Sequence, residues 1–203
     1  MIHYPLADFL ARSTDKPLDE TTLAGVVGAL PALSKDGPWL GGGALRRSLQ
    51  GQEPDSDFDF FFRNADQLEA FRSGVEQRGG TKVRETRHHV HYRGSFGPST
   101  LPRDIQMIRF AFYESAEAVI DSFDFTICQL AYDGDELTVG DHTLWDLGRR
   151  RLAVHKVTFP VSSTRRLLKY GAQGFTACNG CLATLLRATA SNPELDMETA
   201  YVD

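Results

Sequence analysis

Apolar and polar residues alternate along the chain in patterns that predict both strands and helices. Residues 18–33 pass from a polar start into an apolar stretch, which predicts a helix that Pro31 should end early. Residues 57–62 (DFDFFF) alternate polar and aromatic positions at first, as in a strand with one buried face. Residues 64–78 begin at an asparagine and repeat apolar residues at helical spacing, which predicts a helix.

The rest of the patterning intermixes short strands with helices. It predicts a strand over 39–43 that enters a glycine turn, a helix over 44–50, a strand or hairpin over 81–93, a strand over 104–112, a helix over 115–123, a hairpin over 126–141, a helix over 144–150, a strand over 152–159, helices over 163–175 and 176–190, and a frayed polar end over 191–203. This order of elements favours an α/β or α+β domain with a mixed sheet.

Composition excludes several classes of protein. The 203 residues are 41% hydrophobic and 24% charged, which is typical of a soluble globular chain with one domain and an appendage. We expect no membrane association, because no apolar run approaches the roughly 20 residues that span a bilayer. The N-terminus lacks a secretory signal pattern, and three cysteines do not suggest a disulfide framework, so a cytoplasmic location is expected.

Charge is distributed unevenly. The formal net charge is −5, yet between Asp146 and Arg187 the only acidic residue is Asp146. The basic residues of this stretch are Arg149, Arg150, Arg151, Lys156, Arg165, Arg166, Lys169 and Arg187. Such a patch suits a phosphate-bearing ligand, and it equally suits a solvated, salt-bridged face.

The strongest chemical pattern is a glycine pair followed by two aspartates. Asp57 and Asp59 are two residues apart on a predicted strand, so both carboxylates lie on one face and can share one or two Mg²⁺ ions. Gly42 and Gly43 allow a backbone to approach phosphate oxygens closely. Arg46 would face the phosphates or hold the aspartate loop.

These blocks resemble a known family. GGALRR followed by SDFDFFF resembles the signature of the DNA polymerase β-type nucleotidyltransferase superfamily. Further along, DFTICQLAYDG, WDLGRRRL and RRLLKYGAQGF resemble the head and neck of bacterial-type CCA-adding enzymes and poly(A) polymerases. The resemblance covers roughly residues 38–176. It implies a nucleotidyltransferase fold, with a mixed curved sheet flanked by helices in a catalytic domain over 1–159 and a small helical neck-like extension over 160–203.

The resemblance also implies roles for single residues. Asp57 and Asp59 would bind the catalytic Mg²⁺ or Mn²⁺ ions. The remaining implied contacts are Gly42, Gly43 and Arg46 with the triphosphate, Asp124 with the nucleotide sugar, and Arg166 and Lys169 with phosphates or the acceptor. Asp104 is a candidate third catalytic carboxylate, with Gln106 one same-face step further along its strand; an ion pair of Asp104 with Arg103 or Arg109 is the equal alternative.

The sequence also departs from the CCA-adding enzymes. Ser122 and Phe123 stand where those enzymes carry two arginines, and Cys128 stands where they carry asparagine. Their base-recognising Glu-Asp-x-x-Arg element is replaced by VSSTRR at 161–166, and the chain ends soon after the neck-like helices. We therefore expect a diverged, minimal relative rather than a templated CCA-adding enzyme.

The predicted activity is the transfer of an NMP from a nucleoside triphosphate to an acceptor hydroxyl, with release of pyrophosphate. An RNA (tRNA) 3′ end is the favoured acceptor. The alternatives are a catalytically silent nucleotide- or RNA-binding module of the same fold, and a toxin-like or anti-defence transferase that modifies tRNA or protein. A partner subunit or a homo-oligomer could supply the missing tRNA-binding part.

Overall fold

A computed structural model describes residues 1–5, 23–52, 56–97 and 101–191. These residues form two compact units. The first unit comprises the described parts of residues 1–120 together with 130–139, and the second comprises residues 121–129 and the described residues from 140 onward. The sequence predicted a different division, after residue 159, between a catalytic domain and a helical extension. That division is defined by function, and it stays a prediction.

The first unit contains an eight-stranded mixed sheet. Its strands are β1 (Ile2–Pro5), β2 (Trp39–Gly41), β3 (Phe58–Phe61), β4 (Thr81–Glu85), β5 (His89–Gly94), β6 (Arg103–Ile108), β7 (Leu130–Tyr132) and β8 (Glu136–Val139). Their order across the sheet is β1-β8-β7-β2-β3-β6-β5-β4. Only β3 and β6 pair in parallel, and every other neighbouring pair is antiparallel. Strand β3 therefore lies inside the sheet, with a paired neighbour on each side.

Helices complete each unit. Those of the first are α1 (Leu23–Gly28), α2 (Gly43–Leu49), α3 (Ala65–Gln77) and α4 (Ala116–Asp121), whose last residue opens the second unit. Those of the second are α5 (Thr143–Gly148), α6 (Pro160–Ala172) and α7 (Asn179–Ala190), with a 3-10 turn at Thr126–Cys128. The second unit also has two short parallel strands, β9 (Arg151–Leu152) and β10 (Thr176–Ala177). Within the described ranges no helix is long and apolar enough to cross a membrane.

The core of the first unit is built on the aromatic run after Asp57. Phe58, Phe60 and Phe62 are fully buried. Helix α3 packs against this layer through Phe71, whose ring centroid lies 4.7 Å from that of Phe60 and 5.5 Å from that of Phe62. Asn64 begins this helix, and its Oδ1 accepts a 2.8 Å hydrogen bond from the Gln67 amide. The helix predicted over 64–78 is confirmed within a residue at each end.

The predicted fold class is confirmed: a large mixed sheet is flanked by helices. The hairpin predicted over 126–141 is present as β7 and β8, with Gly134 at a positive φ of 104° in the turn. The strand or hairpin predicted over 81–93 is present as β4 and β5.

Several predicted elements differ from the structure in their bounds, and one is absent. The helix predicted over 18–33 is observed as α1 alone, and residues 18–22 lie outside the described residues, as does most of the end predicted to fray over 191–203.

The strand predicted over 152–159 is wrong: β9 ends at Leu152 and only an isolated bridge joins Val154 to Phe125. The amides of His155 and Lys156 instead donate to the carbonyl of Asp124, so long-range backbone bonds replace a strand ladder here. The predicted helix over 176–190 begins only at Asn179, because Thr176 and Ala177 pair with β9.

We expect Phe71→Ala to lower the free energy of unfolding by about 3–5 kcal/mol, because it leaves a cavity between Phe60 and Phe62. Urea denaturation monitored by circular dichroism measures the loss. Gln77→Ala, at the exposed end of the same helix, is the matched control and should change stability by less than about 0.5 kcal/mol. Equal effects of the two substitutions would contradict this packing.

Candidate active site

The two aspartates of the DFDFFF segment lie on the face of the sheet opposite the phenylalanine layer. Asp59 is on β3 and Asp57 directly precedes it, and both are half-buried. Phe58 and Phe60, on either side of Asp59, are buried. Because successive side chains of a strand point to opposite faces, burial of the phenylalanines fixes both carboxylates on the other face.

Gln106 on the neighbouring strand completes this cluster. Asp59 and Gln106 are register partners in the parallel β3–β6 pair. The Gln106 side-chain amide donates a hydrogen bond to Oδ2 of Asp57. Gln106 is only 8% exposed. It therefore places a buried, uncharged side chain beside the two carboxylates.

Asp104 lies on the same face as Gln106 but is held by other groups. Its Oδ1 is 2.8 Å from Nε2 of His91, and its Oδ2 is 3.7 Å from Nη1 of Arg93. Both partners belong to β5, on the side of β6 away from the aspartate pair. Of the two residues that the sequence offered to complete the site, the structure therefore brings Gln106 to Asp57 and Asp104 to His91. Arg109, one of the two arginines that the sequence offered as a partner of Asp104, pairs instead with Glu85, at 2.7 Å.

The glycines before α2 have separate structural tasks. Gly41 is the register partner of Asp59, so no side chain crowds the Asp59 carboxylate from β2. Gly42 has φ 75° and ψ −125°, a conformation open only to glycine, and its amide donates a 3.0 Å bond to the Leu130 carbonyl. Gly43 begins α2, where an amide has no acceptor within the helix. The Gly42 amide is thus already bonded, whereas the first amides of α2, beginning with that of Gly43, have no acceptor within the helix.

Arg46 is placed inside the first unit. Its side chain is buried, at 3% exposure, and its Nη1 donates to Oε1 of Gln50 at 3.2 Å. Its backbone amide closes the first turn of α2 on the Gly42 carbonyl. These bonds hold the glycine turn against the start of the helix.

The donor set fits a divalent ion that takes only part of its ligands from this chain. Two aspartates on one face supply carboxylate ligands of the kind that Mg²⁺ and Mn²⁺ accept, and other oxygen ligands would have to fill the remaining positions. Among the residues that the structure describes, no group of three His, Cys, Asp or Glu side chains could hold a metal ion by itself. The two aspartates fit an open metal site rather than a closed structural one.

Three predicted nucleotide contacts belong to the second unit, where the buried Asp124 carboxylate bonds a buried serine and an arginine whose side chain is 46% exposed. Its Oδ2 accepts from Ser163 Oγ at 2.9 Å and from Arg166 Nη1 at 2.8 Å, both on α6. Burial opposes the charge of Arg166, but the Asp124 carboxylate outweighs it, so the pKa of Arg166 lies above its usual value. Lys169, one helical turn further along, is exposed.

Cys128 also has a defined partner in the second unit. Its Sγ lies 3.0 Å from Oη of Tyr170 in α6, and both side chains are buried. Burial raises the pKa of the Tyr170 hydroxyl well above its usual value. The pair packs the 3-10 turn against α6. Cys128, which stands where the CCA-adding enzymes carry asparagine, is therefore accommodated inside the core.

Comparison with known proteins gives the family. A family model described as "Gabija anti-defense 2 family protein" matches residues 6–150. A curated protein of Bacillus phage SPbetaL7, named Gabija anti-defense 2, is 30% identical over 148 residues, which are 71% of this chain and 35% of that protein. The chain belongs to the Gabija anti-defense 2 family. The family match includes the aspartate pair, Gln106 and Asp124, and it ends before Arg166 and Lys169.

Solved structures support the fold of this family member. The Thermotoga maritima CCA-adding enzyme complexed with tRNA has a TM-score of 0.62 at 19% identity, covering 95% of this chain and 47% of that one. A CCA-adding enzyme complexed with ATP gives 0.64 at 19% identity with the same coverage. A structure of a tRNA-processing enzyme complex gives 0.53 at 20% identity, over 76% of this chain and 43% of that one. The chain thus spans about half or less of the proteins that it resembles.

Sequence reasoning on this family member named Gln106 as a candidate but missed Ser163 as a partner of Asp124. Ser163 shares a helix face with Arg166, since the two are three residues apart, and that spacing could have indicated a joint partner for Asp124. The Gln106 bond to Asp57 carries no such signal, because it depends on the parallel register between β3 and β6.

We expect Gly42→Ala to destabilise the first unit by roughly 1–3 kcal/mol, because an alanine at φ 75° is strained. Gly43→Ala is the matched control. A Cβ on Gly43 would lie 3.4 Å from Ser56 Oγ, an ordinary contact, so its stability should change by less than about 0.5 kcal/mol. Thermal denaturation of both variants measures the difference, and equal midpoints would contradict the assigned conformation.

Proposed function

We propose that this chain is a metal-dependent nucleotidyltransferase that moves an NMP from a nucleoside triphosphate to an acceptor hydroxyl. The observation that carries the proposal is the placement of Asp57 and Asp59 on one open face of the central strand, beside a position where Gly41 leaves space. Two such carboxylates on a surface held by buried phenylalanines are preorganised for a charged substrate. The nucleotidyltransferase fold supports the same reading.

Each residue of the cluster has a part in this proposal. Asp57 and Asp59 hold one or two Mg²⁺ or Mn²⁺ ions, which when bound would neutralise the triphosphate and the leaving pyrophosphate. The Gly43 amide faces a phosphate oxygen, while Gly42 and Arg46 keep the turn in shape. Gln106 fixes the Asp57 carboxylate, so the ligand geometry exists before substrate arrives.

We propose that Asp104 supports the reaction as a neighbour of the aspartate cluster rather than as a member of it. Its carboxylate is bonded to His91, on the same face of the sheet as Gln106. In the second unit, Asp124 is proposed to lie near the nucleotide sugar, and Arg166 and Lys169 near phosphates or the acceptor.

The acceptor and the biological role follow from two different relationships. Structural neighbours include a CCA-adding enzyme complexed with tRNA, which favours an RNA 3′ end as the acceptor. Membership in the Gabija anti-defense 2 family favours a role in countering that defence. We propose that the transfer reaction itself produces the anti-defence effect.

The direct test is transfer of α-labelled nucleoside triphosphates, each supplied separately with Mg²⁺ or Mn²⁺, into total RNA and whole-cell protein. We expect label in RNA, and a loss of roughly 1,000-fold in Asp57→Asn and in Asp59→Asn, because each removes an anionic metal ligand. Asp104→Asn should lose roughly 10- to 100-fold. Asp66→Asn, an exposed carboxylate in the first turn of α3, is the matched control and should keep full activity.

The labelled product also decides the acceptor. Label in a protein band would replace RNA by a protein hydroxyl and keep the transferase. Label that persists in the Asp57→Asn/Asp59→Asn double variant would overturn the catalytic role of the pair.

A non-catalytic binding module is the second candidate. It is favoured by Gln106, a neutral side chain beside the aspartates, and by Ser122 and Phe123 in place of two arginines. Calorimetry with each nucleoside triphosphate and Mg²⁺ separates the two functions. Binding that depends on Asp57 and Asp59 with no transfer under any condition would establish the module and exclude the enzyme.

A further inference from the structure

An exposed tryptophan marks a surface of the second unit that the proposed catalytic cluster does not use. Trp145 on α5 is 55% exposed, whereas Trp39 is fully buried in the sheet. The guanidinium carbon of Arg149 lies 3.8 Å from the Trp145 ring centroid. A large aromatic ring is therefore kept at the surface and carries a stacked cation.

Two exposed arginines that follow Trp145 in the chain, Arg149 and Arg150, have no carboxylate partner among the described residues. Throughout the described ranges, no Asp or Glu side chain forms an ion pair with Arg149 or Arg150. The next arginine, Arg151, does have one: its Nε lies 2.7 Å from Oδ1 of the buried Asp146. Asp146 therefore neutralises Arg151, whereas Arg149 and Arg150 are exposed.

Arg150 also has an unusual backbone conformation. It is the one non-glycine residue with positive φ, 50°, within the part of the chain that the structure describes. Its carbonyl accepts a 2.8 Å hydrogen bond from the Thr176 amide. Its guanidinium lies close to Gly174, since a Cβ built on that glycine would be 3.1 Å from Nη1 of Arg150. Packing around β9 and β10 therefore holds this strained residue, which is the condition under which such strain persists.

We propose that Trp145, Arg149 and Arg150, the Trp145 surface, bind single-stranded nucleic acid. An unpaired base offers a planar face that stacks on the Trp145 ring, and the adjacent phosphates match the two arginines. A duplex keeps its base faces inside the stack and cannot use the ring. An acidic peptide would satisfy the charges but would leave the ring without a matching plane. This inference names the acceptor class of the proposed function, and so rests on it, but the binding it describes requires no turnover.

The two tryptophans allow a site-specific measurement. Trp39 is buried, so quenching of intrinsic fluorescence by an added oligonucleotide reports Trp145. We expect an unlabelled single-stranded RNA of 12 nucleotides to quench the full chain, and a DNA of the same sequence shows whether the 2′-hydroxyl is read. A fluorescein-labelled version of each strand gives the affinity by anisotropy for variants that lack the tryptophan.

Variants separate stacking from charge. Trp145→Ala should weaken binding roughly tenfold, and Trp145→Phe should retain most of it, because a ring still stacks. Arg149→Gln and Arg150→Gln should each reduce the slope of log affinity against log salt by about 0.7, the value for one lost phosphate contact on a single strand. Leu168→Ala, an exposed leucine of α6, and Lys35→Gln, an exposed lysine of the first unit, are the matched controls and should bind as the wild type does.

Three outcomes would overturn the inference: wild-type affinity in Trp145→Ala, an unchanged salt slope in both arginine variants, or a duplex of equal length that binds as tightly as the single strand. The proposed function fails separately. Binding at the Trp145 surface without nucleotidyl transfer would refute the enzyme and keep this surface. Transfer to RNA with an unchanged KM for RNA in Trp145→Ala would refute this surface and keep the enzyme.

Discussion

The structure of the first unit depends on the alternation of side chains along β3. Phe58 and Phe60 must face α3 and the core, because a central strand paired on both sides has no other way to bury them. A shift of register by one residue would place Asp57 and Asp59 in the core, where two unpaired carboxylates are strongly unfavourable. The hydrophobic effect that folds the sheet therefore also orients the two carboxylates.

Neighbouring strands extend this constraint into a site. Strand β2 contributes Gly41 opposite Asp59, which leaves space, and β6 contributes Gln106, which holds Asp57. The parallel pairing of β3 with β6 is the one exception to antiparallel order in the sheet. It brings together residues 49 positions apart in sequence, so the third member of the cluster exists only through the topology.

The part that sequence could predict is the part governed by local periodicity. The DFDFFF strand, the α3 helix and the β7–β8 hairpin follow from period-2 alternation, a capping asparagine and an Asp-Gly turn. The strand expected over 152–159 failed because tertiary bonds to the Asp124 carbonyl replaced the ladder that its apolar residues suggested. The partners of Asp104 and the exposure of Trp145 depend on contacts between distant segments and leave no local pattern, whereas the spacing of Ser163 and Arg166 on one helix face was a usable signal for Asp124.

The central claim is that Asp57 and Asp59 form the metal-binding centre of a triphosphate site. Diffraction from crystals grown with Mn²⁺ and a non-hydrolysable nucleoside triphosphate tests it most directly. We expect an anomalous Mn²⁺ signal within ligand distance of both carboxylates and of a phosphate oxygen, and its loss in Asp57→Asn/Asp59→Asn crystals. A nucleotide bound elsewhere on the chain, or bound with no Mn²⁺ signal at these carboxylates, would contradict the claim.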